Sequence, residues 1–468
     1  MNSFAPVHSE AYQAAVDFLY DRINYERTTD QPYNQSNYRL SRMERLLVEL
    51  DNPQQSAPVI HIAGSKGKGS VAWQTAECLR LSGYRTGLYT SPHLLRLEER
   101  FVLNGIQIDE SQLIRAVEAV RPAASRIEQQ GHGHATFFEL TTAIAWWLFR
   151  DNAADVNVVE VGLGGRLDST NVCWPALSII TSISYDHQQQ LGNTLTEIAR
   201  EKAGIIKPGV PVVSGATNPE AFDVISQVAK ERGCMLRQLG VDFSVASAGT
   251  EQGRAGEFHQ LLDYRPSVKK WPKGQARSRL ALKLVGKHQL SNAGVVLAGL
   301  DILREHDWKI SDLAIVQSLA ETQVPARIET VANLPTTIID TAHNEASIAA
   351  LIDALEERFP HKKKIVVFSA SRDKKCFEML KQLMGAFQEV IITQFHTNPR
   401  AQSAETLKTM AGSLRQNHPG SLTSNYRVVE TSEAALKAAQ NLASPDDVIV
   451  ITGSFFLAAE LLPNFRAS

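Results

Sequence analysis

A run of ten residues, His61-Ile62-Ala63-Gly64-Ser65-Lys66-Gly67-Lys68-Gly69-Ser70, constrains the fold more than any other stretch of the chain. Apolar Val59–Ala63 reads as a buried strand, three glycines open a turn, and Val71–Leu81 continues as a helix. A strand that passes through glycines into a helix forms a cradle of backbone N–H groups at the helix N-terminus, which favours anionic phosphate. Lys68 stands where its ammonium can reach terminal phosphates. The spacing departs from G-x-x-x-x-G-K-[ST], because Gly69 intervenes before Ser70.

Short apolar runs alternate with helical periodicity on both sides of this loop. Val156–Val161, Leu177–Ile183, Thr336–Asp340, Lys364–Phe368, Glu389–Thr393 and Asp447–Thr452 read as buried strands. Ile348, Leu351, Ile352, Leu355 and Phe359 recur at helical spacing. The alternation predicts an α/β protein: an N-terminal P-loop ATPase domain with a mostly parallel sheet, plus a smaller C-terminal doubly wound Rossmann-like domain. The length of 468 residues exceeds one ordinary core. Pro325 breaks the pattern and places the boundary near 322/323, giving domains 1–322 and 323–468. Residues 245–280, polar and rich in Gly and Arg, read as loops, with an antiparallel edge at Leu280, Leu282 and Leu284.

The formal charge of −2 with 21 % charged residues gives no basic excess for nucleic acid, and no apolar run reaches membrane-span length. The four cysteines, Cys78, Cys173, Cys234 and Cys376, are dispersed, which suits a reducing cytoplasm. Glu10, Asp17 and Asp21 interrupt the first apolar stretches, so these do not read as a secretory signal.

Further motifs carry chemistry. Glu160 ends an apolar strand, where a bare carboxylate is costly unless paired or bound to a cation. It is followed by Gly162-Leu163-Gly164-Gly165-Arg166-Leu167-Asp168-Ser169-Thr170-Asn171. Thr90-Ser91-Pro92-His93-Leu94, Thr136-Phe137-Phe138-Glu139, Ser184-Tyr185-Asp186-His187, Glu197–Gly209 with Lys202, Gly286–Ala293 with Asn292, Pro325-Ala326-Arg327-Ile328-Glu329 and Asp340-Thr341-Ala342-His343-Asn344-Glu345 complete the set. Taken alone, Arg200, Glu201 and Lys202 read as a solvated helix face, and Phe137 and Phe138 as core aromatics or as a stacking surface.

In this order the motifs resemble those of the folylpolyglutamate synthase/dihydrofolate synthase family within the murein-ligase superfamily. The family's usual AGTNGKGS, TSPHL, EVGLGGRLDATN, ITSIGLDH, GxHQxxNA, PGRxE and DGAHNP stand beside the stretches above. Ser65, Lys66, Thr341 and Glu345 depart from it. The resemblance implies ATP-dependent amide formation between L-glutamate and a dihydropteroate or folate carboxylate through an acyl phosphate. It implies ATP and Mg²⁺ as cofactors. Gly64, Gly67, Lys68, Gly69, Ser70, Asn292, Arg327 and Asp340 would hold nucleotide. Ser91, Glu160 and His187 would hold metal. Phe137, Phe138, Glu139, Gly165 and Arg166 would contact substrate. Lys68, Lys202, Asp340 and His343 would be catalytic, with Lys202 open to carbamylation. The implied partners are small molecules, with no nucleic acid or membrane, and the expected enzyme is a cytoplasmic monomer. Two alternatives stay open: a related ligase with another acceptor, and a nucleotide-binding paralogue without catalysis.

Overall fold

The structure, a computed structural model, describes residues 9–24, 40–252, 257–418, 422 and 424–466. The chain forms two compact units. The first contains Met1–Gly249, Leu261–Leu282 and Gln289–Thr322. The second contains Thr250–Gln260, Lys283–His288 and Gln323–Ser468.

The first unit is built on an eight-stranded sheet ordered Ile106–Gln107, Phe101–Leu103, Thr86–Tyr89, Val156–Glu160, Val59–Ala63, Leu177–Ile180, Val212–Ser214, Leu236–Gln238. From Thr86–Tyr89 onward all neighbours are parallel. The two outer strands at the other edge are antiparallel. Every residue of Val59–Ala63, Val156–Glu160 and Leu177–Ile180 is buried. Continuous apolar runs without alternation are what strands covered on both faces require. Helices Glu10–Tyr20, Leu40–Val48, Glu110–Gln129 and Phe137–Asp151 share a core with Trp146 and Phe149.

Register sets the site. Ile62 lies beside both Glu160 and Ile179, and Tyr89 beside Val159. The carboxyl ends of four parallel strands therefore finish level, and the loops at Gly64, Ser91, Val161 and Thr181 leave one edge together. Open parallel sheets bind ligands at such an edge.

The second unit carries a six-stranded sheet ordered Glu329–Asn333, Thr336–Ile339, Val448–Thr452, Lys364–Phe368, Glu389–Ile392, Asn425–Val428. Only the first pair is antiparallel. Ile348, Leu351 and Leu355 of helix Glu345–Arg358 pack with Val366, Val390 and Val450.

One expectation fails. Residues 245–280 are not mainly loops: Phe243–Gln252, Phe258–Pro266 and Arg277–Leu282 form a three-stranded sheet. Phe243–Gln252 is mostly exposed, so its polar composition masks a strand whose support is Phe243 packed against Tyr264 and Trp271. Edge strands Glu329–Asn333 and Asn425–Val428 also lack the apolar run that marked the others.

Candidate active site

The phosphate loop is shaped by contacts that exclude side chains. Gly64 has φ 151°, and a Cβ there would lie 1.8 Å from Thr181 Oγ1. Gly67 has φ 87°, and its Cβ would lie 2.3 Å from Asn292 Oδ1. Gly67 caps the helix Lys68–Leu81 with no side-chain hydrogen bond, so the first N–H groups of a 14-residue helix have no capping oxygen from that residue. Asn292 donates to Gln289 Oε1 at 2.9 Å, and Gln289 donates to buried Ser70 at 3.3 Å. Gly64, Gly67, Lys68, Gly69, Ser70 and Asn292 thus form one assembly.

Lys68 Nζ donates to the Gly64 carbonyl at 3.2 Å, and Lys202 Nζ donates to the same oxygen at 2.9 Å. Lys202 is only 3 % exposed, so the solvated-face reading of its helix, Leu195–Ala203, does not apply to it. Burial and the nearby Lys68 ammonium push the Lys202 amine down to about 7.

Glu160 is buried and accepts the Ser91 backbone N–H at 3.1 Å. A Cβ on Gly69 would sit 3.6 and 3.9 Å from the two Glu160 oxygens, which places the carboxylate over the first turn of the phosphate-loop helix. His187 occupies a left-handed position, φ 50°, with its Nε2 3.9 Å from Asp186 Oδ1. Among the described residues no three His, Cys, Asp or Glu side chains form a ready metal cage. One buried carboxylate beside a phosphate cradle fits Mg²⁺, which takes one or two carboxylates together with phosphate oxygens and water.

The Thr136–Glu139 segment is recast by its contacts. Thr136 caps helix Phe137–Asp151, and Glu139 returns to it, accepting the Thr136 N–H at 2.7 Å and the Thr136 hydroxyl at 2.9 Å. Arg42 Nε meets both Glu139 oxygens at 3.0 and 2.9 Å. The Glu139 carboxylate therefore closes a capping box and a buried ion pair. Phe137 is fully buried, stacked on Tyr20 with centroids 5.2 Å apart and under the Arg100 guanidinium. Phe138 borders the glycine loop, since a Cβ on Gly162 would strike its ring at 2.4 Å.

Gly165 and Arg166, for which the resemblance implies substrate contact, pack against helix Leu195–Ala203. A Cβ on Gly165 would lie 2.9 Å from the Glu201 carbonyl and 3.0 Å from that of Lys202. The Arg166 N–H donates to the Glu201 carbonyl at 2.8 Å, and its guanidinium pairs with the Glu201 carboxylate. Together they seat the helix that delivers Lys202.

Two networks carried no sequence signal. Buried His61 meets Thr170 Oγ1 at 2.8 Å, and Thr170 donates to Asp168 at 2.5 Å. The single hydroxyl proton goes to Asp168, so His61 Nε2 holds the other. Asp168 also accepts the Leu163 N–H at 2.9 Å, which ties the glycine loop to the central strand. Burial, aided by Lys207, pushes the His61 imidazole down to about 3. The second network joins Lys66 to Asp186 at 2.8 Å.

In the second unit, Asp340 accepts the N–H groups of Ala342 and Ile328 at 2.7 and 3.0 Å, and burial raises its carboxyl despite nearby Arg327. Arg327 donates to Thr341 Oγ1 at 2.7 Å and lies 5.3 Å over the Phe455 ring, which His343 also meets at 5.8 Å. Thr341, a departure from the family pattern, thus holds Arg327. Glu345 starts its helix, capped by Asn344.

Residues 62–300 match the Mur ligase middle domain, and residues 326–455 match the Mur ligase, glutamate ligase domain. The chain is 36 % identical over 420 residues to folylpolyglutamate synthase of Lacticaseibacillus casei, covering 89 % of this chain and 92 % of that protein. The chain belongs to the folylpolyglutamate synthase/dihydrofolate synthase family. It is an ATP-dependent ligase of this type. A second member, dihydrofolate synthase/folylpolyglutamate synthase of Bacillus subtilis, is 32 % identical over 458 residues, covering 97 % of this chain and 99 % of the relative. Folylpolyglutamate synthase of Mycobacterium tuberculosis, solved in complex with ADP, superposes with a TM-score of 0.84 at 30 % identity over 98 % of this chain and 99 % of that one. No helix among the described residues is long and apolar enough to cross a membrane.

Proposed function

We propose that this family member joins L-glutamate to the carboxylate of dihydropteroate, of a folyl-glutamate, or of both. The γ-phosphoryl group of ATP passes to the acceptor carboxylate, giving ADP and an acyl phosphate. The glutamate amine then attacks the acyl carbon, loses a proton, and expels phosphate as the amide forms. The observation that carries this reading is the convergence of two lysines on Gly64 beside the buried Glu160 carboxylate. Phosphoryl transfer requires positioning and charge neutralisation more than a protein nucleophile. Lys68 supplies an ammonium at the phosphates, and Gly64, Gly67, Gly69, Ser70 and Asn292 shape their cradle.

Ser91, Glu160 and His187 would hold Mg²⁺, which when bound neutralises phosphate charge. Lys202 is proposed as a carbamylation site: its depressed amine is partly neutral near pH 7, and a neutral amine adds carbon dioxide with loss of one proton. Residues 1–322 would carry the ATP-binding part and 323–468 the glutamate-ligase part, contributing Arg327, Asp340 and His343. The chain is proposed to act as a monomer, as the family resemblance implies. All four cysteines are free thiols, which supports a reducing cytoplasm.

The test is phosphate release by the purified chain with ATP, Mg²⁺ and glutamate, comparing 7,8-dihydropteroate with tetrahydrofolate. Release dependent on both acid and glutamate is expected, and should vanish in Lys68→Ala. Release with neither acid from folded, ATP-binding protein would remove this reading.

A further inference from the structure

The phosphate loop and the turn that follows strand Leu177–Ile180 are interlocked through backbone and side chain. The Ser65 N–H donates to the Ser182 carbonyl at 2.7 Å. Its hydroxyl donates to the Ser184 carbonyl and accepts the Ser184 N–H, both at 3.0 Å. The Lys66 carbonyl accepts from Thr181 Oγ1 at 2.7 Å and from Ser182 Oγ at 3.1 Å. The Lys66 side chain then crosses to Asp186, the neighbour of His187. Asp186 is 12 % exposed and Lys66 37 %. The carboxylate thus has the Lys66 ammonium at 2.8 Å and the His187 imidazole at 3.9 Å.

We propose that Lys66 is a positioning residue which, through Asp186, fixes the turn that presents His187 to a divalent cation brought in with nucleotide. The inference rests on the proposed metal role of His187. His187 lies at a left-handed residue outside the strand, so the sheet alone does not aim it. At 3.9 Å the Asp186 carboxylate is beyond hydrogen-bond reach of the ring, so it sets His187 through the turn the two residues share and not as a direct ring partner. Here that carboxylate is itself held by the one phosphate-loop side chain that departs from the family in charge, since the family usually has Asn where this chain has Lys66. Lys66 therefore couples the loop that takes the phosphates to the turn that takes the cation.

The experiment uses the full chain with Lys66→Asn, Lys66→Arg, Asp186→Asn, and the Lys66→Asn/Asp186→Asn pair. Mn²⁺ is titrated by electron paramagnetic resonance in the presence of a non-hydrolysable ATP analogue. ADP binding is measured in EDTA, and thermal unfolding checks the fold. Lys66→Asn and Asp186→Asn should each weaken Mn²⁺ about 3–10-fold, somewhat less than loss of a direct partner of a ligating histidine. Lys66→Arg should retain wild-type Mn²⁺ affinity, the double variant should be no weaker than Asp186→Asn, and ADP affinity in EDTA should hold. Unchanged Mn²⁺ affinity in Lys66→Asn would overturn the proposal. So would a loss of ADP affinity in EDTA, which would make Lys66 a phosphate contact instead. His187→Ala separates the parent reading: if it leaves Mn²⁺ binding intact while Lys66→Asn weakens it, the metal role of His187 fails and not the coupling of Lys66 to cation binding.

Discussion

Lys68 and Lys202 donate to one oxygen, the carbonyl of Gly64, at 3.2 and 2.9 Å. Two ammonium groups on one acceptor repel each other, and only Lys202 is fully enclosed, so its amine carries the depression to about 7. Between pH 7 and its ordinary value of 10.5 the folded chain has released this proton while the unfolded chain keeps it. Stability from this group therefore rises with pH across that window, and the burial cost is complete below pH 7. The urea midpoint of the wild type should climb relative to Lys202→Met between pH 7 and 9. Parallel midpoints would show that the amine is not depressed.

His61 gives a slope of the same sign in a more acidic window. Its folded value of about 3 lies below the ordinary 6.5, so the unfolded chain gains a proton that the folded chain refuses as pH falls through that interval. Stability is intact above pH 6.5 and is lost on acidification. His61→Gln should flatten this acid loss, while costing roughly 1–3 kcal/mol at pH 7.5 by disturbing the bond to Thr170. Chemical denaturation at pH 4.5 and 7.5 reads both effects.

Arg42→Ala leaves the Glu139 carboxylate buried without its cation. Removing one partner of a buried pair costs about 3–5 kcal/mol. Part of that loss should return in Arg42→Ala/Glu139→Gln, because the remaining group is neutral and still bonds Thr136. If the single variant unfolds at the wild-type denaturant concentration, the pair is not structural.

Gly67→Ala sets a methyl against Asn292 at a left-handed φ, a conformation that costs a non-glycine residue about 1–3 kcal/mol. ADP affinity should fall at least tenfold, with a smaller change in Tm. Gly209→Ala, also at positive φ but facing open space, should lower Tm without altering ADP affinity. Equal ADP affinity in the two variants would contradict the tight fit of the loop.

The buried half of the fold was legible because burial on both faces forces continuous apolar runs, as in Val59–Ala63 and Val448–Thr452. Phe243–Gln252 escaped because an exposed strand has no such obligation. The strand–glycine–helix turn at residues 61–70 was equally plain, its glycines being dictated by contacts at Thr181 and Asn292. The capping role of Glu139 was legible too, as Thr-x-x-Glu before an apolar helix. Its partner Arg42 lies 97 residues away, a distance no local pattern spans. The burial of Lys202 was hidden for a related reason: it follows from the docking of Gly165 and Arg166 against its helix.

The bonds from Ser65 and Lys66 to residues 181–184 have a kinetic consequence as well. A glycine-rich loop left to itself samples many shapes, and fixing each residue costs about 1–2 kcal/mol in backbone entropy. Here that cost is met during folding, so on the proposed role of the loop an arriving nucleotide would find its cradle already assembled. Association should then follow a single concentration-dependent phase, with no slow isomerisation of the loop after encounter.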